Sequence, residues 1–252
     1  MSHAEEFYPK RHAKDQTYSA GEYHMQSLFS QRVLKDWASH YNNDGSPLRM
    51  LDVGCGKGLF LRDFAAGLRQ RGVKTIQATG IDLVRSSGDY FSEVCSDFKF
   101  VQQNLDGKPL PFADASFDFL CCNQVLEHIF ETEKLLREFR RVMHPQGLCL
   151  ISVPNISAWV NRVLFLFAGQ PLGSELGTEK ITYGFWPAFM QPKLERFQPS
   201  GHIRDFTPRG LRELTAHCGF ETVGWWKQNK GPIARLGKWA GRDLAILLKP
   251  VR

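Results

Sequence analysis

The sequence has no run of about 18 uninterrupted apolar residues, the length a helix needs to cross a bilayer. Its best candidate, Ala158 to Ala168, is too short and is broken by Asn161 and Arg162. No secretory leader is expected either, because MSHAEEFYPKRHAKD is polar from its first residues. These absences lead us to expect a soluble cytoplasmic protein. The six cysteines, at 55, 95, 121, 122, 149 and 218, form no C-x-x-C pair and no other metal-ligand spacing. No metal and no disulfide framework is expected. Several of these cysteines fall in apolar runs, where a reduced thiol behaves as a small hydrophobe. There is no internal repeat, no low-complexity tract and no nucleic-acid-binding signature.

Charge is modest as well. The net charge of +6 and sequence pI near 9.0 are compatible with an anionic substrate, a membrane surface or nucleic acid, and select none of them. Hydrophobic residues make up 42% of the 252, enough for one large domain with a full core. Basic residues gather from Lys227 to Arg252, with Trp225, Trp226 and Trp239 among them. There Ile233, Leu236, Trp239 and Ala240 share a helical face. It could pack on the core or lie on an anionic membrane surface as a peripheral contact.

What is present has a rhythm. Residues 1–46 are polar and mixed, with a possible helix from Gly21 to His40, and read as a helical N-terminal cover. Residues 47–252 read as one α/β domain, because short apolar runs alternate with amphipathic helical patterns as in βαβ units. Strands are expected at 49–53, 75–81, 98–102, 117–122 and 148–153, with two more at 220–226 and 244–249. The helix through Leu135, Phe139 and Val142 is expected to stop at His144-Pro-Gln-Gly147. Thr207-Pro208 reads as a capped helix start, and Gly219 as that helix's left-handed stop. Residues from about 155 to 206 lose the rhythm and read as a lid inserted after the fifth strand.

Chemistry concentrates in Leu51-Asp-Val-Gly54-Cys-Gly56-Lys-Gly58, between a strand and a helix. Glycines there let a ligand approach the backbone and aim the helix's free N–H groups at it. The spacing is G-x-G-x-G, whereas a dinucleotide fingerprint has G-x-G-x-x-G. Asp82 ends the next strand, where a carboxylate can accept from both hydroxyls of a ribose.

With these residues in order, the sequence resembles the class I S-adenosylmethionine-dependent methyltransferases. It is most similar to the bacterial small-molecule group that includes the ubiquinone-biosynthesis type. The resemblance rests on the glycine loop, Gly80-Ile-Asp82, Leu110-Pro-Phe-Ala-Asp-Ala-Ser-Phe-Asp118 and Cys122-Asn-Gln-Val-Leu-Glu-His-Ile129. It covers about residues 48–155 and continues more loosely through Gly201-His-Ile-Arg-Asp-Phe-Thr207. It implies a Rossmann-like fold, with a mostly parallel seven-stranded sheet, helices on both faces and an antiparallel last strand. It also implies S-adenosyl-L-methionine as cofactor and S-adenosyl-L-homocysteine as its product.

By the same resemblance, Asp52, Gly54, Cys55 and Gly56 lie beside the methionine portion of the cofactor. Asp82 holds the ribose and Leu83 packs on the adenine. Asn104 and Leu105 meet the adenine edge, where the family usually has an acidic residue before the apolar one. Asn123 and Gln124 meet the amino-acid end.

His202 and His128 are the candidates for a base or acceptor contact, since an imidazole can accept a proton near neutral pH. The acceptor pocket is expected to draw on Asn155, Trp159, Tyr183, Trp186 and Arg204. The apolar run Val163-Leu-Phe-Leu-Phe167 leans toward a lipid-like acceptor. Methylation of oxygen is the first reading, with nitrogen or carbon of a small metabolite as the alternatives. A nicotinamide oxidoreductase and a cofactor-binding scaffold without turnover also stay open. The Asn at 104 is the feature that points to the scaffold.

Overall fold

A computed structural model of the chain describes residue 34 and residues 46–86, 89–181, 183–185, 199–227 and 241–251. The helix expected at 21–40, apart from Leu34, and the helical face of residues 233–240 lie outside the described residues, as does Trp186.

Seven strands form one sheet: β1 (Leu48–Val53), β2 (Ile76–Asp82), β3 (Lys99–Gln102), β4 (Phe117–Asn123), β5 (Met143–Pro154), β6 (Phe220–Lys227) and β7 (Asp243–Pro250). Their order is β3-β2-β1-β4-β5-β7-β6. The pairs from β3 through β5 are parallel, and β7 is antiparallel to both of its neighbours. The mostly parallel sheet with an antiparallel last strand is therefore present. Strand order reverses between β1 and β4, and in open α/β sheets ligands bind beyond the strand ends at such a point.

The strands read as near-continuous apolar runs because both sheet faces are covered. On one face Leu48 and Met50 of β1, Phe119 and Cys121 of β4, Leu148 and Leu150 of β5, and Ala245 and Leu247 of β7 share a core. They meet Phe60, Leu61, Phe64 and Leu68 of helix α1 (Leu59–Gln70), and Leu34 joins them. On the other face Leu51, Val53, Leu120, Cys122, Ile151 and Ile246 pack against Leu135, Leu136, Phe139 and Val142. A short helix, α2 (Phe91–Val94), precedes β3, and those last four residues belong to helix α3 (Thr132–Val142). All six cysteines are buried free thiols, and Cys121, Cys122 and Cys149 are core residues of the central strands.

One boundary differs from expectation. Helix α3 ends at Val142, and β5 begins at once with Met143, so His144–Gly147 lies inside the strand. The register shifts between Phe117 and Phe119, and this irregularity takes up Pro145, which cannot donate to a regular ladder. Gly147 passes so near the backbone that a Cβ there would lie 2.9 Å from the Asp118 carbonyl oxygen.

After β5 comes helix α4 (Trp159–Leu166), and α5 (Pro208–His217) precedes β6. The Thr207 side chain accepts from the Gly210 N–H, and Gly219 closes α5 with φ of 86°. The segment leaving β5 returns where it left: Asn155 bridges Phe206, and the Ile156 N–H donates to the Phe206 carbonyl at 3.0 Å. No described helix is long and apolar enough to cross a membrane.

Candidate functional site

The loop from Gly54 to Gly58 turns over the end of β1. Gly54 has φ of 73°, and a Cβ there would stand 2.2 Å from Val125 Cγ2, so only glycine fits. Gly58, with φ of 78°, is the N-cap of α1, and its N–H donates to the Cys55 carbonyl. The helix therefore begins inside the loop with its first N–H groups facing the strand ends.

Asp82 ends β2 beside this loop. One carboxylate oxygen accepts from the Gly56 N–H at 2.8 Å and the other from the Leu83 N–H at 2.7 Å. The sequence-expected partners Gly56, Asp82 and Leu83 are thus joined into one cradle. The Val84 N–H also points at this carboxylate, at 3.5 Å. Asp52 lies beneath the loop, only 3% exposed. Burial, with the nearby Asp82 charge adding to it, pushes its carboxyl up to about 7. Burial likewise pushes the Cys55 thiol up, so it stays protonated and unreactive.

Asn104 is buried beyond the end of β3, and its side-chain oxygen accepts from the Asp106 N–H at 3.0 Å. Asp106 accepts in turn from the N–H groups of Phe130 and Glu131. Leu105 is a buried core residue beside it. At the end of β4, Asn123 accepts from the Ser152 hydroxyl at 3.0 Å, while its buried Nδ2 has no partner. Gln124 follows with φ of 56°, and its N–H donates to the Ser152 carbonyl. A buried amide without an acceptor is costly, and at the switch point it is positioned to donate to a ligand.

The histidines meet across a long loop. Glu127 and His128 lie on a 3₁₀ turn (Leu126–His128), and the Glu127 carbonyl accepts from the N–H groups of Ile203 and Arg204. This docking brings His202 to His128, with ring centroids 4.9 Å apart. His128 Nδ1 lies 3.1 Å from the Gly201 carbonyl, and His202 Nδ1 lies 2.8 Å from the Gly173 carbonyl. A carbonyl only accepts, so each Nδ1 carries a proton. Both Nε2 atoms face Glu127 Oε1, at 3.9 and 4.0 Å. Glu127 is 0% exposed, neither of its carboxylate oxygens has a hydrogen-bond partner, and burial raises its carboxyl to about 8. The ligand atoms of Glu127, His128 and His202 lie within 4.8 Å of one another, close enough to share a cation. Sequence spacing did not show this set, because His202 arrives only through the fold.

Glu175 was also missed. Its carboxylate accepts from the N–H groups of Ser200 at 2.6 Å and Gly201 at 2.7 Å, fixing the loop that carries His202. It sits in irregular sequence with no periodicity to mark it. The remaining expected pocket residues are placed less centrally. The Asn155 amide donates to the Gly241 carbonyl, and its oxygen accepts from Ser157, so it holds the mouth of β5 together. Arg204 donates to the Phe130 carbonyl and lies over the Phe130 ring at 5.2 Å. Trp159 and Tyr183 stand exposed.

Residues 51–151 match the family described as "Methyltransferase domain". A ubiquinone biosynthesis O-methyltransferase of Rickettsia akari is 25% identical over 124 residues, which cover 49% of this chain and 47% of that one. The family match is confined to residues 51–151, the stretch from β1 to β5. It spans about half the length of the curated relatives it matches. Two solved structures share the fold of the methyltransferase domain. The citrinin polyketide synthase CMeT domain has a TM-score of 0.56 at 19% identity, over 90% of this chain and 52% of that one. The 1,6-didemethyltoxoflavin-N1-methyltransferase of Burkholderia thailandensis has a TM-score of 0.53 at 18% identity, over 90% and 79%. The glycine loop, Asp82, Asn104 and Glu127 all fall inside the matched residues, whereas His202 and Glu175 fall outside them.

Proposed function

We propose that this chain transfers the methyl group of S-adenosyl-L-methionine to an oxygen atom of a small-molecule or lipid-like acceptor. The carrying observation is the cradle in which the Asp82 carboxylate draws together the N–H groups of Gly56 and Leu83 at the strand-order switch point.

In this reading Asp82 accepts from the ribose hydroxyls and Leu83 packs on the adenine. Asn104 and Leu105 meet the adenine edge, Asn104 through its neutral carbonyl oxygen. Asp52, Gly54, Cys55 and Gly56 line the methionine portion. The unpartnered Nδ2 of Asn123, with the turn at Gln124, receives the amino-acid end. The bound cofactor supplies a sulfonium methyl with a good leaving group already attached. What remains for the chain is to align the acceptor oxygen with that methyl and to manage the hydroxyl proton. His202 and His128, whose Nε2 atoms turn toward Glu127, are the residues assigned to the acceptor side, as base or acceptor contact. Trp159, Tyr183, Trp186, Arg204 and Asn155 belong to the wall of the acceptor pocket, with residues 155–206 as its lid and residues 1–46 as a cover.

Oxygen is favoured by the resemblance to ubiquinone biosynthesis O-methyltransferases. The lipid-like acceptor is supported by α4 and the residue after it, where Val163, Phe165, Leu166 and Phe167 are exposed. A cytoplasmic enzyme working peripherally at a membrane fits that surface and the basic C-terminal segment. Calorimetric titration with S-adenosylmethionine and S-adenosylhomocysteine tests the reading. Binding of both supports it; a folded protein that binds neither would contradict it.

A further inference from the structure

Resting on the methyltransferase reading, we propose that Asp52 distinguishes the sulfonium cofactor from its neutral thioether product, by releasing a proton only when the positive charge is bound. The place of the residue comes first. Asp52 is the next-to-last residue of β1 and pairs in register with Gly80 of β2 on one side and Cys121 of β4 on the other. Strand order reverses between β1 and β4, so Asp52 lies at the switch point, under the loop that follows β1.

Its neighbours are thiols and another acid. The Cys121 thiol of β4 is hydrogen-bonded to the carboxyl, and Cys122 follows on the same strand within reach of its charge. On the β2 side Cys55 fills the space over Gly80, where a Cβ would lie 2.6 Å from its Sγ. Burial keeps all three thiols protonated. Asp82, at the end of β2, adds a second negative charge. The basic residue of the loop, Lys57, is half-buried, and Glu127 is the other buried acid acting on Cys122. Asp52 is itself 3% exposed, and burial, opposed by the Cys121 bond and reinforced by Asp82, holds its carboxyl at about 7. In the empty chain a proton is what balances this acid.

Cofactor and product differ in charge at one atom. The sulfonium is positive and the thioether neutral, while the amino and carboxylate groups of the methionine portion are common to both. A positive charge within about 6 Å of a carboxyl favours its ionised form, and a neutral sulfur does not. Asp52 is therefore protonated in the empty chain, ionised beneath the sulfonium and protonated again beneath the thioether.

The proton count closes over one turnover. Asp52 loses one proton to solvent as the cofactor binds. In the transfer the carbon–sulfur bond breaks, sulfur keeps the electron pair, the acceptor oxygen bonds the methyl carbon, and the hydroxyl proton leaves to solvent. Asp52 then recovers one proton from solvent. The product is left above a neutral acid, without the attraction that held the cofactor, so Asp52 favours loading and release in turn.

The test is titration calorimetry of the full chain with S-adenosylmethionine and, separately, S-adenosylhomocysteine. It runs from about pH 5.5 to about pH 7.5, in two buffers of different ionisation enthalpy, so that protons released on binding are counted. At about pH 6 the wild-type protein should release about one proton per chain with S-adenosylmethionine and clearly less with S-adenosylhomocysteine. Its preference for S-adenosylmethionine should rise by about 10-fold across the window. That rise should vanish in Asp52→Asn, which leaves Glu127 in place, and persist in Lys57→Gln. Equal proton release with the two ligands overturns the proposal, as does a rise that survives in Asp52→Asn or disappears in Lys57→Gln. If Asp52→Asn fails to fold, proton release by the wild-type protein decides alone. Binding of both ligands with no difference between them defeats the role of Asp52 only. A folded wild-type protein that binds neither defeats the methyltransferase reading itself.

Discussion

At the ends of β1 and β2 the polar groups find partners close at hand. Gly54 and Cys55 donate to the Ile81 carbonyl, Gly56 and Leu83 to Asp82, and Gly58 to Cys55. Around Glu127 the pattern is different. Two imidazoles are each tied to a backbone carbonyl, the loop that carries His202 is clamped by Glu175, and the carboxylate in the middle has no hydrogen-bond partner. The first region is a rigid cradle made by the βα turn itself. The second is assembled from three separate stretches, around a buried carboxylate that has no hydrogen-bond partner. One region is preorganised by local backbone; the other depends on how loops far apart in sequence dock.

This contrast can be broken at either end. The largest effect is expected from Asp82→Ala, which removes the acceptor shared by Gly56 and Leu83. It should weaken S-adenosylhomocysteine binding by about 100-fold or more, about 3 kcal/mol, as expected for lost charge-assisted bonds. Amide exchange over residues 199–204 should be unchanged. Faster exchange there as well would mean that the two regions are not separate.

Glu175→Ala is the converse. It leaves the cradle intact and frees the Ser200 and Gly201 N–H groups, at a cost of about 1–3 kcal/mol. Amide exchange over residues 199–204 should accelerate while homocysteine-cofactor binding holds. Protection unchanged there would remove Glu175 from its clamping role.

Asp52→Asn sharpens the electrostatic side. Burial holds the native carboxyl at about 7, above its ordinary value near 3.8. The folded chain therefore binds a proton that the unfolded chain has released between those values. This group's contribution to stability is present below about 3.8 and is lost as pH rises toward 7. The amide variant should melt a few degrees above wild type at pH 8 and close to it at pH 4, as thermal unfolding would show. No pH dependence in that difference would contradict the burial argument. The smallest effect is expected from Thr207→Ala, which removes the cap of α5 away from both regions. About 1 kcal/mol, or about 2–4 °C, should be lost with cofactor binding unaltered.

The same contrast explains how far the sequence could be read. The glycine loop, Asp82 and the seven strands were legible because their signals are local: apolar runs of strand length, a strand-to-helix turn, an acid at a strand end. The start of β5 was not, because Pro145 and Gly147 look like a helix stop until the bulge beside Phe117 accommodates them. The Glu127–His128 pair was visible, but its meeting with His202 depends on two backbone bonds from Ile203 and Arg204 across the whole segment after β5. Asn155 was read as a pocket residue; the bond from its amide to the Gly241 carbonyl is a long-range partnership that no local pattern encodes.

The account stands or falls on the cofactor cradle, and titration calorimetry of S-adenosylhomocysteine into wild-type and Asp82→Ala protein tests it most directly. One site per chain with a dissociation constant in about the micromolar range, lost in the variant, is the expected result. A folded wild-type protein that takes up none, or a variant that binds as tightly, would contradict it.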